Sequence, residues 1–166
     1  MDDSCLCRKA TEADLDRLWN WNIAANPGDS RWPAWKQQYV ADNRDGRAAT
    51  FAVLCGGIPV GEGTLLFSPD CAAIGGRAEL ADGAVAANVN ALRIRKAYEG
   101  RGYISAHMRL METYAVSRGF RRLTIGVEAQ ETRNLAIYLH WGYNRFVTSA
   151  IEDGALVLYY EKDLLP

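Results

Sequence analysis

Apolar positions along the chain change their period several times, and each change predicts an element. Cys5-Leu6-Cys7-Arg8-Lys9 alternates from side to side as a strand does. Thr11, with Asp14 three residues on, has the form of a capping box opening a helix, and Leu15, Leu18, Trp19, Asn22 and Ile23 then recur at helical spacing. The breaker Asn26-Pro27-Gly28 ends that stripe. Pro33 suits the first turn of a second helix, whose shorter apolar stripe is Trp35, Tyr39 and Val40.

Strand formers fill Thr50 to Cys55 and Ile58 to Phe67, and the Gly56-Gly57 pair between them predicts a hairpin. Ser68 to Gly83, with Pro69, Gly75 and Gly76, reads as a long polar connection. Val85 to Ile94 is a third apolar strand. It runs into the turn Glu99-Gly100-Arg101-Gly102-Tyr103-Ile104, which opens a helix with Ile104, Met108, Met111 and Ala115 on one face and Gly119 at its C-terminal cap. A short strand at Leu123 to Glu128, a helix from Glu131 to Trp141 ending at Gly142, and strands at Arg145 to Ile151 and Ala155 to Glu161 complete the order. Strict alternation is missing, so the sheet should be mixed: antiparallel at its start and end, with one parallel pair near the middle. The expected class is α+β, or mixed α/β.

With 166 residues and no linker or internal repeat, residues 1–166 are expected to form one domain. A net charge of −1 with interspersed signs gives no basic face for nucleic acid or an anionic membrane. No apolar run has membrane-spanning length, and Met1-Asp2-Asp3 lacks the positive flank of a signal peptide, so a cytoplasmic protein is expected. The scattered Cys5, Cys7, Cys55 and Cys71 read as reduced packing thiols. With only His107 and His140 to join them, no metal site is expected.

A strand ending in a glycine turn that feeds a helix offers unpaired N–H groups and the positive end of the helix dipole to a phosphate. Here no Lys-Ser or Lys-Thr follows the last glycine, which excludes a Walker loop, and the three spaced glycines of a dinucleotide fingerprint are missing. The register Leu92, Ile94, Lys96, Glu99, Gly102 and Ile104, followed by Tyr138, Gly142 and Tyr143, instead resembles the general N-acetyltransferase (GNAT) superfamily over nearly the whole chain. The resemblance implies a GNAT-type fold: a central, mostly antiparallel sheet flanked by helices. It also implies an acetyl-CoA-dependent N-acetyltransferase in which a primary amine of a small molecule or peptide attacks the thioester directly.

The same resemblance implies that coenzyme A lies where the third strand splays from the next. Its pantetheine would meet backbone around Leu92, Arg93, Ile94 and Arg95, and its pyrophosphate would meet N–H groups along Gly100, Arg101, Gly102, Tyr103, Ile104 and Ser105. Asn134 stands in the final helix where the family has Ala, and Glu131 where it often has Asn. Glu99 replaces the usual Arg or Gln: turned toward Arg95 or Arg101 it would leave the pyrophosphate site open, whereas facing the cleft it would weaken binding, and Ile104 is expected to face the core. Tyr138 is the implied general acid.

The general base stays open: Asn88 occupies the strand position that carries Glu in some relatives, and Glu128 or Glu62 could act through a water. The resemblance implies that the first two helices line the acceptor side, where Trp19, Trp21, Trp32, Trp35 and Tyr39, beside Asp29, would suit a cationic amine; the spacing of Trp19 and Trp35 equally fits core residues. A non-catalytic acyl-CoA-binding sensor or interaction domain is the rival reading. The final strand, Ala155 to Glu161, is apolar on both faces, and an exposed apolar edge of that kind would be covered in a homodimer.

Overall fold

Thr11 starts the first helix as its spacing predicts. Its hydroxyl accepts the Asp14 N–H at 3.2 Å, and the Asp14 carboxylate accepts the Thr11 N–H at 2.9 Å. In the computed structural model, which describes residues 4–165, seven strands and four helices follow one another. The strands are β1 (Cys5–Lys9), β2 (Ala48–Cys55), β3 (Ile58–Leu66), β4 (Ala86–Ile94), β5 (Arg122–Glu128), β6 (Arg145–Glu152) and β7 (Ala155–Asp163). The helices are α1 (Glu12–Ala25), α2 (Arg31–Arg44), α3 (Tyr103–Ser117) and α4 (Thr132–His140), with a short 3-10 turn at Lys96–Tyr98. The acidic start Met1-Asp2-Asp3 lies outside the described residues.

All seven strands join one sheet in the order β1-β2-β3-β4-β5-β7-β6, antiparallel except for the parallel pair β4 and β5. Every residue of β2 is buried because both faces of the sheet are covered, as expected of a strand with no polar alternation. On one face Phe51, Leu65, Val89 and Ile125 pack against Met108, Met111 and Ala115 of α3. On the other, Leu15, Trp19 and Tyr39 of α1 and α2 pack around Leu66 and Tyr159.

Three expectations need correction here. The segment Ser68 to Gly83 is folded onto the α1 and α2 face, with Cys71, Ile74, Leu80 and Ala81 buried among their side chains. Its glycines hide that role because they break any period. The last strand is not an edge: β7 lies between β5 and β6, so the edge on that side of the sheet is β6, with Phe146 and Ile151 exposed. The thiols are not all reduced either. Cys5 and Cys55 face each other across β1 and β2, with Cα atoms 4.1 Å apart, and form a disulfide, while Cys7 and Cys71 are free. Fifty residues separate the pair in sequence, so spacing could not reveal the contact.

The feature that makes a site is local to β4. Thr64 pairs with Asn90 and Glu62 with Arg93, so Ala91 and Leu92 together oppose the single residue Gly63. Ala91 takes a left-handed conformation, with φ of 53°, to absorb the extra residue, and this bulge bends the strand. The pairing of β4 with β5 stops at Val89 and Ile125, and beyond it the two strands part.

Candidate active site

Where β4 leaves β5 there is a cleft of about 970 Å³. One wall is Leu92 to Ile94 of β4 and the following Arg95, with Tyr98 and Glu99. The floor at one end is Gly100 and Gly102 to Ser105, and the opposite wall is α4, with Asn134, Tyr138 and Trp141. Trp21 and Asn22 of α1 and Glu62 of β3 close another side. The fold thus brings Leu92, Arg93, Ile94, Arg95, Gly100, Gly102, Tyr103, Ile104, Ser105, Asn134 and Tyr138 around one space. Arg101 and Glu128 are not on its walls. Arg101 lies 5.7 Å from the ring centre of Tyr98, and the Glu128 carboxylate accepts from Gln130 at 3.1 Å.

Gly100 and Gly102 have φ of 73° and 81°, a region that strains any residue with a β-carbon. Gly102 is the N-cap of α3 and supplies no side-chain acceptor to its first turn. Among the described residues no protein acceptor takes the N–H groups from Gly100 to Ser105. All but Arg101 of these residues line the end of the cleft, at the positive end of the α3 dipole, an arrangement suited to an anion. Ile104 departs from expectation: it lines the cleft, while Met108, Met111 and Ala115 are the buried residues of that face.

Arg95 lies 4.3 Å from the ring centre of Trp21, and Arg101 lies over Tyr98, so neither cation is engaged by the Glu99 carboxylate. Glu99 remains on the cleft wall without an ion pair among the described residues. Arg93, Arg95 and Arg133 are the cations on the same walls.

Tyr138 is half-buried against Trp141, with ring centres 5.8 Å apart. Burial, and then the charge of Glu131, push its phenol up to about 12, so it is protonated at neutral pH. Asn88 is buried and donates to Thr124 Oγ1 at 2.8 Å, which commits it to structure. Asp29 pairs with Arg31 at 2.8 Å, which holds its carboxyl at about 2, and it is not on the cleft walls.

Glu62 is the charged side chain that the fold has most thoroughly withdrawn from water on this wall, with 4% of its side chain exposed. Arg93 Nη1 donates to Oε1 at 2.8 Å, and Asn22 Nδ2 approaches both carboxylate oxygens at 3.3 and 3.4 Å. Burial raises its pKa, and Arg93 and Asn22 pull it back. The Arg93 guanidinium carbon is in turn 4.8 Å from the ring centre of Trp32 and 5.5 Å from that of Trp19. Sequence reasoning assigned only backbone to Arg93 and no role to Asn22. The pairing depends on the bulge register, which no local pattern encodes.

Comparison with known proteins places these features in a family context. Residues 15–143 match the model of the acetyltransferase (GNAT) family. No curated protein matches the sequence significantly. Among solved structures, an N-acetyltransferase from Staphylococcus aureus Mu50 superposes with a TM-score of 0.70 at 14% identity, over 98% of this chain and 99% of that one. A ribosomal-protein-alanine N-acetyltransferase from Brucella melitensis gives 0.70 at 18% identity, covering 96% and 99%. The PaiA N-acetyltransferase of Thermoplasma acidophilum, in complex with coenzyme A, gives 0.63 at 15% identity, covering 96% and 99%. At these identities the likeness is one of fold.

Proposed function

The chain belongs to the GNAT acetyltransferase family, and from that premise we propose that it transfers an acetyl group from acetyl-CoA to a primary amine by direct attack within the β4–β5 cleft. The observation that carries this reading is the meeting, in one cleft, of an unpaired run of N–H groups at Gly100 to Ser105 with the protonated phenol of Tyr138. The N–H run is suited to a pyrophosphate, and the unpartnered edge of β4 past Val89 is suited to an amide-bearing chain. Acetyl-CoA bound there supplies an activated acyl group.

In this reading Glu62 takes the proton that an ammonium must lose before its nitrogen can attack. Its raised pKa makes it a stronger base than a solvated carboxylate. Tyr138 protonates the departing thiolate. Free phenol and thiol differ by only about 1.5 pKa units, and a water-poor cleft raises both together. Glu128, the other base named from sequence, is outside the cleft walls and fits this role less well.

Glu99 favours a second reading, an acyl-CoA-binding sensor without turnover, because an unpaired carboxylate on the cleft wall opposes a pyrophosphate. Release of CoA from acetyl-CoA in the presence of an amine panel separates the two. Turnover that Tyr138→Phe slows by about 100-fold or more, with CoA affinity unchanged within about 2-fold, is the result expected of the enzyme. Binding of CoA with no turnover for any amine would favour the sensor.

A further inference from the structure

Glu62 and Arg93 are cross-strand partners on the wall of the cleft, and each commits only part of its side chain to the other. Oε1 of Glu62 accepts from Arg93 Nη1 at 2.8 Å, whereas Oε2 receives only the long 3.4 Å approach of Asn22 Nδ2. Nothing among the described residues accepts from Nε or Nη2 of Arg93, whose side chain is 34% exposed. Trp19 and Trp32 flank the guanidinium and limit where it can swing. The acceptor end therefore presents a free carboxylate oxygen and free guanidinium donors side by side.

That pair is the complement of a molecule carrying an ammonium and a carboxylate on adjoining atoms. A polyamine would use Glu62 but bring a second positive charge toward Arg93 and Arg95. A peptide N-terminus would offer Arg93 only a neutral carbonyl, and charge-assisted hydrogen bonds are about twice as strong as neutral ones. Asp29 pairs with Arg31 and is not on the cleft walls, so it offers no second carboxylate there for a dication.

We propose that the acceptor is a free α-amino acid, its ammonium on Glu62 Oε2 and its carboxylate on Nε and Nη2 of Arg93; the reaction assigned to it rests on the acetyltransferase reading above. Glu62 takes one proton from the ammonium and passes it to solvent. The nitrogen lone pair forms a C–N bond to the acetyl carbon, and the C–S bond breaks with its electron pair going to sulfur, which takes the proton of Tyr138. The second nitrogen proton restores the phenol. The products are an N-acetylamino acid, CoA and one proton.

The test measures two things on the full chain with the twenty common L-amino acids, their carboxamides and their decarboxylated amines. One is CoA thiol release from acetyl-CoA. The other, with non-aromatic compounds, is quenching of tryptophan fluorescence, since Trp19 and Trp32 flank Arg93. At least one amino acid should give saturable release, with kcat/KM about 10- to 100-fold above that of its amide and its amine, the range expected for one lost charge-assisted contact. Arg93→Lys keeps a charge opposite Glu62 but not the fork, and should erase most of that preference through KM.

Amides or simple amines turned over as well as the amino acids would overturn the acceptor class and leave acetyl transfer standing. Saturable quenching by an amino acid but not its amide, without CoA release, would uphold the zwitterion site and overturn the enzyme reading. Neither release nor quenching with any amino acid would overturn the proposal.

Discussion

A β-carbon added to Gly63 would lie 3.0 Å from Nε2 of His107, and 2.9 Å from Sδ of Met111. The missing side chain on β3 is therefore what lets α3 settle against the sheet opposite the bulge. Gly63→Ala must push back a buried ring, a thioether and Leu92 Cδ1, itself 3.0 Å away on the cleft strand. We expect a loss of about 1–3 kcal/mol in urea denaturation. Because Leu92 lines the cleft, CoA affinity should weaken in the same variant.

His107 is fully buried, and neither ring nitrogen has a partner among the described residues. Burial holds its pKa at about 4, against an ordinary value of 6.5. The folded state thus binds fewer protons than the unfolded chain between these values, so stability is full above pH 6.5 and is lost as pH falls toward 4. From pH 7.5 to pH 5 the loss from this one group should be about 2 kcal/mol. His107→Leu should remove that part of the pH dependence and be as stable as the parent at pH 7.5 or more so, because it deletes two unsatisfied polar atoms. Denaturation of both proteins at the two pH values checks it; parallel pH dependences would refute the assignment.

With Cys5 and Cys55 bridged, protein purified without reductant and then denatured should react with a thiol reagent at two cysteines, Cys7 and Cys71, and at four after reduction. The bridge spans 50 residues of sequence, a closure that chain entropy values at about 4 kcal/mol. Reduction, or Cys55→Ser, should lower stability by up to that amount. A count of four thiols before reduction would show the strands paired without the bridge.

Glu62→Gln keeps the Asn22 and Arg93 contacts possible but cannot accept a proton. It should lower kcat by about 100-fold or more and remove the acidic limb of the pH–rate profile, which falls as pH drops through the raised Glu62 pKa. Glu128→Gln should cost much less, since that carboxylate lies off the cleft walls. The reverse order of effects would exchange their roles.

Local chemistry was legible before any coordinates. The Thr11 and Asp14 capping box, the Gly56-Gly57 turn and the element order follow from neighbours close in sequence, and the helix and strand bounds shift by only a few residues in the structure. The register of the glycine turn with Tyr138 was also readable, because each motif is set by spacing within one strand–helix unit.

What lay beyond the sequence were relations between strands. A one-residue bulge opposite Gly63 determines that Arg93 meets Glu62, and register across a pairing depends on packing over the whole sheet. The Cys5–Cys55 bridge, the burial of Cys71, Ile74 and Leu80, and the internal position of β7 are likewise non-local contacts. The sequence by itself determined the elements, the family resemblance and the glycine turn, since these rest on backbone preferences and short-range periodicity. Only the tertiary structure decided which charges share the cleft, because pairing across a bulged sheet joins residues that share no local pattern.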